Sequence, residues 1–218
     1  MSYPINYPTP QGANVQIFNA PTNSGSNSLA SWTKPQGASF VWFTLIGNGG
    51  IGNGTTGGGS GAVTNFMCPA FLIPDRLAVK VGTANSNDTV ILYQEKNTTG
   101  YTLLQANGTI GISAAGANTA NAFTAMGFFQ SVAGQAGASG NPATPTTTFL
   151  QAGGGAAGGA NGNYGYVSSS DGFFQMQPII CTVGASNGAN PATAGIGGGG
   201  TRSTSSTGGP GMVVIITW

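Results

Sequence analysis

Three clusters of glycine limit what this chain can fold into more than any other feature of its sequence. They lie at residues 47–61, 153–165 and 195–211, and glycine accounts for 39 of the 218 residues. A glycine in regular structure costs roughly 0.5–1 kcal/mol relative to alanine, because it loses more conformational freedom on folding. If most of them are ordered, the fold needs contacts that offset this cost, and burial between subunits is one source of such contacts.

Two structures are open for the glycine clusters. Ordinary Gly/Ser linkers are flexible coils, but linkers rarely contain apolar residues such as Ile51, Ala156, Ala157 and Ile196. The alternative is a set of ordered segments, either closely packed loops or stretches resembling polyproline II. Their backbones could approach one another because no side chains intervene. The clusters lack the strict three-residue repeat of collagen.

The first cluster contains the motif G-x-G-x-x-G, at residues 47–52, directly after a predicted strand at 40–46. A dinucleotide-binding fingerprint requires a helix after the third glycine and an acidic residue about 20 positions later. Here the motif runs into Asn53-Gly54-Thr55-Thr56 and more glycine, and the first acid is Asp75, after a proline. The sequence therefore predicts a loop that leaves a core strand, and not a nucleotide site.

Short apolar runs separated by turn residues predict many strands. This pattern favours an all-β fold, a β-sandwich or a jelly-roll-like fold with long glycine-rich loops. Residues 117–129 are a candidate helix with a poor helix signal, since Thr and Asn are weak helix formers. The predicted strands lie at 15–18, 40–46, 63–66, 77–81, 89–94, 101–104, 109–112, 165–167, 179–183 and 212–218.

Two hairpins and two regions of the chain are also predicted. A loop at 96–100 joins two of the strands, and Asn107-Gly108 has the composition of a tight hairpin turn before residues 109–112. Three prolines within residues 1–15 predict an extended N-terminal arm. Residues 16–218 are then a single glycine-rich β-domain.

Charge and hydropathy exclude several classes of protein. Only 4% of the residues are charged, and the net charge is +1. The five cations are scattered and form no basic stripe, which argues against nucleic-acid binding. The longest apolar runs are far shorter than the ~20 residues of a membrane-spanning helix. A net charge near zero favours association, so composition predicts a protein that works in an assembly.

The chain has no histidine, which removes Ser-His triads, Cys-His dyads and histidine metal sites together. Of the four acids, Asp88 and Glu95 lie seven residues apart, on either side of the predicted strand at 89–94, and so point to opposite faces. Cys68 and Cys181 form no disulfide framework and are expected to be free buried thiols. The sequence predicts no catalytic residue, no cofactor and no metal site, and hence a protein that is not an enzyme.

Tyr164, Tyr166 and Asp171 are the candidate receptor-contact residues. The two tyrosines lie two positions apart and so share a face of a predicted strand, and asparagine and aspartate lie nearby. Exposed aromatic rings beside such polar groups are typical of sugar-binding surfaces. The alternative is that these residues belong to the core or to a subunit contact.

Three segments carry a family resemblance: WTKPQGA at 32–38, PAFLIPDRLAVKVG at 69–82 and GGPGMVVIITW at 208–218. Over residues 30–218 the chain resembles the glycine-rich domain found in many bacteriophage virion proteins. It departs from that pattern in having shorter glycine runs mixed with Asn and Thr.

The resemblance implies a structural or adhesive role on a virus particle assembled in the host cytoplasm, commonly as a homotrimer, with no catalysis and no cofactor. Because a compact domain with a short arm suits a protein docked on a shell, we expect a capsid-associated knob, decoration or fibre protein. Its partners are then other virion proteins such as the capsid shell. The alternative is a tail-fibre adhesin that binds a glycan on the host surface.

Overall fold

The apolar runs form β-strands in the computed structural model, which describes residues 13–20, 29–83, 88–93, 100–118, 127–137, 164–167, 180–183, 196–200 and 207–218. A single 3₁₀ turn, Ala70–Leu72, is the one helical element in these ranges. The all-β prediction is confirmed. The strands are β1 Asn14–Asn19, β2 Leu29–Thr33, β3 Phe40–Ile46, β4 Val63–Pro69, β5 Arg76–Lys80, β6 Thr89–Tyr93, β7 Tyr101–Ala106, β8 Phe128–Val132, β9 Tyr164–Val167, β10 Ile180–Val183 and β11 Met212–Thr217.

All strand pairs are antiparallel, and two sheets make up the sandwich. One sheet has five strands in the order β1-β11-β3-β4-β8, and the other has four in the order β2-β5-β6-β7. Strands β9 and β10 pair with each other. Strand β11 lies between β1 and β3, with Met212 opposite both Asn19 and Ile46. The last strand of the sequence is therefore internal to the larger sheet.

The main core lies between the two sheets. Alternate side chains of each strand point into it, as the period of two requires. Phe43 lies at its centre, with its ring 5.8 Å from that of Trp32 in an edge-on arrangement and 6.4 Å from that of Phe66. The fully or nearly fully buried members of this core include Trp32, Val41, Phe43, Leu45, Phe66, Leu77, Val79, Ile91, Leu104, Val213 and Ile215.

A second apolar cluster covers the opposite face of the five-stranded sheet. Trp42, Ile46, Val63, Val214 and Ile216 are buried there. Two polar residues share this face and satisfy each other, since the Thr44 hydroxyl donates to Asn65 Oδ1 at 2.7 Å. Burial on both faces explains why β3 and β11 are nearly continuous apolar runs in the sequence.

Two local predictions are wrong. Residues 109–112 form no strand, since 110–113 are bends, and Asn107-Gly108 is not a hairpin turn. Of the candidate helix at 117–129, residues 117, 118 and 127–129 are not helical, since Phe128 and Phe129 belong to β8, and residues 119–126 lie outside the described ranges. Phe129 and Ser131 of β8 lie opposite Phe66 and Thr64 of β4. Pairing with β4 therefore determines the conformation of β8, against its weak helix signal.

Two further predictions fall partly outside the described residues. Strands β6 and β7 pair as the predicted hairpin, though its loop falls in a range that the structure does not describe. Strand β1 begins at Asn14, and residues 1–12 of the predicted arm are also outside the described part of the chain. No helix among the described residues is long and apolar enough to cross a membrane.

Truncating the central core ring tests this packing. Phe43→Ala should lower the free energy of unfolding by about 3–5 kcal/mol, because a fully buried aromatic side chain is removed and a cavity remains. Phe71→Ala is the matched control, since Phe71 is 81% exposed and its loss should change stability by about 0.5 kcal/mol or less. Denaturant unfolding measures both, and equal losses would contradict the assigned core.

Candidate functional site

The connection between β3 and β4 extends beyond the sheet as a hairpin whose two limbs do not pair as β-strands. Its cross-chain hydrogen bonds join Gly47 N–H to Ala62 O, Gly50 N–H to Gly59 O, and Asn53 N–H to Thr56 O, at 2.9, 2.9 and 3.1 Å. These pairs recur at every third residue of each limb. A β-ladder repeats every second residue, whereas three residues per turn is the period of polyproline II.

The returning limb, residues 57–62, donates to three neighbouring segments in rotation. Because the period is three, Gly58 and Gly61 donate to the segment 196–200. Gly59 and Ala62 donate to the segment 107–115, and Ser60 donates to the segment 133–137. The N–H groups of Gly58, Gly59, Ser60, Gly61 and Ala62 donate to the carbonyls of Gly200, Gly111, Gln135, Gly197 and Asn107, at 2.7–2.9 Å.

Hydrogen bonds with the same three-residue period join a second pair of segments, 133–137 and 107–115. Gly134 and Gly137, three residues apart, donate to Ala115 and Ile112, which are also three residues apart, both at 2.9 Å. We call residues 47–62, 107–115, 133–137, 196–200 and 207–211 together the glycine bundle. Most of its glycines are buried, including those at 47, 49, 50, 52, 57–59, 61, 197–200, 208, 209 and 211.

Glycine is required in the bundle because the backbones touch. A Cβ atom on Gly49 would overlap the carbonyl of Gly198, and one on Gly58 would overlap the carbonyl of Gly50. A Cβ atom on Gly137 would likewise overlap the carbonyl of Gly57. The obstructing atoms are backbone atoms that cannot rotate away. Of the two alternatives left open for the clusters, the described residues of the first and third clusters have the ordered, closely packed one.

Asparagine and threonine hold the bundle to its surroundings. The buried Asn48 amide donates to the carbonyl of Thr109 at 3.0 Å, and Thr109 N–H donates back to Asn48 O at 3.1 Å. At the junction with the sheets, the Thr89 hydroxyl donates to Ile46 O at 2.8 Å and accepts from Gly82 N–H at 3.0 Å. Asn48 is thus a polar residue within the first glycine run that bonds this run to the segment after β7.

The first hairpin ends in an exposed polar turn at Asn53–Thr56, which we call the tip. Asn53 Oδ1 accepts from the N–H groups of Thr55 and Thr56 at 3.3 and 3.0 Å, and from the Thr55 hydroxyl at 3.1 Å. Gly54 has a φ of +93°, a conformation that other residues rarely adopt. The tip lies at the far end of the hairpin from the sandwich.

The other end of the sandwich, which we call the base, carries aromatic side chains. The rings of Phe40 and Trp218 stack at 5.9 Å, and the largely exposed Phe71 lies on the turn after β4. A shallow cleft of about 100 Å³ lies beside them, lined by Asn14, Pro35, Gln36, Gly37, Ala38, Thr217 and Trp218. Ligand pockets span roughly 300–1,000 Å³, so this cleft is too small for an organic cofactor.

The two described acids have structural partners. Asp75 pairs with Lys34 at 2.8 Å, and the Lys34 ammonium also donates to Ala70 O and Ile73 O, which fixes the 3₁₀ turn. Asp88 accepts from the Gln105 amide at 2.6 Å and from Gly108 N–H at 2.8 Å. Over the part of the chain that the structure describes, no group of three or more Cys, Asp or Glu side chains could hold a metal ion.

Two of the three candidate receptor-contact residues lie in described backbone. Tyr164 and Tyr166 are both in β9, and in the backbone register they lie opposite Val183 and Cys181 of β10. Asp171 is outside the described ranges. The role of these residues in binding stays a prediction. Sequence reasoning missed the tip as a structural unit, although its Asn-Gly-Thr-Thr composition is a turn signal.

Comparison with models of known protein families gave no match, and comparison with curated proteins gave none either. The glycine bundle, its tip and the aromatic base are therefore the features from which a function can be inferred.

The bundle packing predicts a sharp difference between two glycines. Gly59→Ala should destabilise the protein by about 1–3 kcal/mol or more, because its Cβ would overlap the Ser113 carbonyl. Gly116→Ala is the matched control, since no atom lies within 4 Å of its Cβ position. That variant should be neutral or slightly stabilising, by about 0.4–1 kcal/mol at most. Thermal unfolding of both variants checks this, and tolerance of Gly59→Ala would refute close packing.

Cys68 should be an inert thiol. Burial raises its pKa from 9.0 to about 11, so the reactive thiolate is scarce at pH 8. In a Cys181→Ser background, which leaves Cys68 as the only thiol, we expect about a hundredfold slower reaction with a maleimide than for an exposed cysteine. The rate should rise as pH approaches 11 or when denaturant unfolds the chain. Rapid labelling of the native protein at pH 8 would contradict its burial.

Proposed function

We propose that this protein is a non-enzymatic structural protein on the surface of a bacteriophage particle, a capsid-associated knob or decoration protein that self-associates as a trimer. The observation that carries the proposal is the glycine bundle, a buried unit packed backbone to backbone and built on a β-sandwich. Such a unit supplies stable bulk and an exposed end while presenting few reactive side chains. The family resemblance of the sequence supports the same role.

The chemistry of the described residues favours display over catalysis. Histidine is absent from the chain, and the described acids Asp75 and Asp88 are engaged in structural bonds. The N–H groups of Gly49, Gly50 and Gly58 are also used inside the bundle. Among the described residues, these two carboxylates and these N–H groups therefore stabilise the fold.

The two ends of the molecule suit a protein attached at one side and exposed at the other. The base presents Phe40 and Phe71, apolar rings of the kind that mark protein contacts. The tip presents Asn53, Gly54 and Thr55, which are polar and uncharged. We propose that the base faces the capsid shell and that the bundle points outward.

A second candidate function is that of a tail-fibre adhesin, and the tip favours it. Exposed loops positioned by a rigid scaffold are a common form of binding site, and the hydroxyl and amide groups of Asn53 and Thr55 can bond to sugar hydroxyls. In this case Tyr164, Tyr166 and Asp171 remain further candidate contacts for a host-surface glycan.

Locating the chain on intact particles distinguishes the two candidates. With an antibody against the purified protein and gold-labelled electron microscopy, we expect label over the capsid of the phage that encodes it. Label at the fibre ends would favour the adhesin, and particles without label would refute both candidates. If fibres are labelled, binding to host cells by Tyr164→Ala/Tyr166→Ala should fall, and unchanged binding would remove those residues from the site.

A further inference from the structure

Strand β1 forms an unusually unprotected edge of the five-stranded sheet. Among the described residues it pairs only with β11, and no other described strand lies along its outer side. Natural proteins usually protect such edges with charged residues, proline or a bulge, because an open edge pairs with other chains. The sequence of β1, NVQIFN, contains no charge and no proline, and its register with β11 is continuous.

The side chains of β1 add an apolar strip to this open edge. Val15 and Ile17 are 55% and 57% exposed, although both point to the same face as the second apolar cluster. In register they lie opposite Ile216 and Val214, which are 7% and 1% exposed. The apolar surface therefore runs from the buried cluster to the sheet edge and ends in two open aliphatic side chains.

The three other edge strands of the sandwich lack this combination. Strand β7 pairs with β6 through a register shift at Ile91/Leu92, which twists an edge away from partners. Strand β2 lies beside Arg76 and Lys80 of β5, which put two cations on its outer face. Strand β8 has one well-exposed apolar residue, Phe128, at its end.

We infer that the β1 edge is the contact between copies of this chain, with Val15 and Ile17 buried against a second copy. This inference rests on the self-association in the proposed function and names the surface that produces it. A second copy fits because neither β1 nor β11 carries a charge, so a charged partner finds nothing to pair with here. Two copies of a chain whose net charge is +1 also repel each other little.

A contact along β1 would bury both its backbone groups and its apolar side chains. Covering the edge removes the exposed backbone groups from water and continues the sheet or its apolar face into the neighbour. In a trimer each copy offers β1 to the next, and three identical contacts close a ring. The tip lies beyond the sheet at the end of the 47–62 hairpin, whereas β1 lies within the sheet, so a contact along β1 leaves the tip uncovered.

The test compares two matched charge substitutions in the full-length chain. Ile17→Glu places a charge in the apolar strip, whereas Leu29→Glu places the same charge on an exposed aliphatic position of β2, opposite Lys80. Sedimentation over a concentration series measures the mass of each against wild type. We expect wild type and Leu29→Glu to form the same oligomer, and Ile17→Glu to have the 21.5 kDa mass of one chain.

The outcomes separate this inference from the proposed function. A monomeric wild type would refute self-association itself. An oligomeric wild type whose Ile17→Glu variant stays oligomeric would overturn only the β1 contact. If Ile17→Glu fails to fold, as judged by thermal unfolding, Ile17→Thr replaces it, since threonine keeps a β-branched residue in the strand. That variant should dissociate at a concentration about tenfold higher than wild type, from the loss of buried aliphatic surface, and an unchanged dissociation constant would also overturn the contact.

Discussion

Direct contact between backbones, possible only where Cβ atoms are absent, is the constraint on which the rest of this structure depends. A β-strand bonds to neighbours in one plane, whereas the limb at 57–62 turns with a period of three and bonds to neighbours in three directions. A chain with few large side chains can therefore bury its backbone and satisfy its N–H and C=O groups at once. This offsets the conformational cost of ordering so many glycines.

The sandwich fixes where the glycine segments begin and which of them are neighbours. Strands β3, β4 and β11 are adjacent in the larger sheet, and their extensions at 47–52, 57–62 and 207–211 enter the bundle side by side. Gly211 donates to the Gly82 carbonyl, and a Cβ there would overlap the Thr89 hydroxyl. The order of strands in the sheet thus sets which glycine segments meet, so the bundle depends on the sandwich and cannot be treated as a set of independent loops.

The strands that sequence predicts best are those whose side chains alone decide their conformation. Strands β3 and β11 are long apolar runs, and β5 alternates clearly. Strand β2 escaped prediction because Trp32 is its one buried side chain, and β8 because its alanine-rich approach resembles a weak helix. Asn107 was assigned to a hairpin turn, but its carbonyl accepts from Ala62 N–H, a partner 45 residues away that no local pattern reveals.

The G-x-G-x-x-G motif shows why the site was harder to predict than the fold. In a dinucleotide-binding turn, glycine lets the pyrophosphate approach free N–H groups. In this chain the same absence of Cβ lets Gly198 approach Gly49, and the N–H groups of Gly49 and Gly50 already donate to Gly209 and Gly59. A neutral backbone takes the place that an anion would occupy. Because these N–H groups already donate to backbone carbonyls, the motif has the letters of a nucleotide site but lacks the free donors that would bind a phosphate at Gly49 and Gly50.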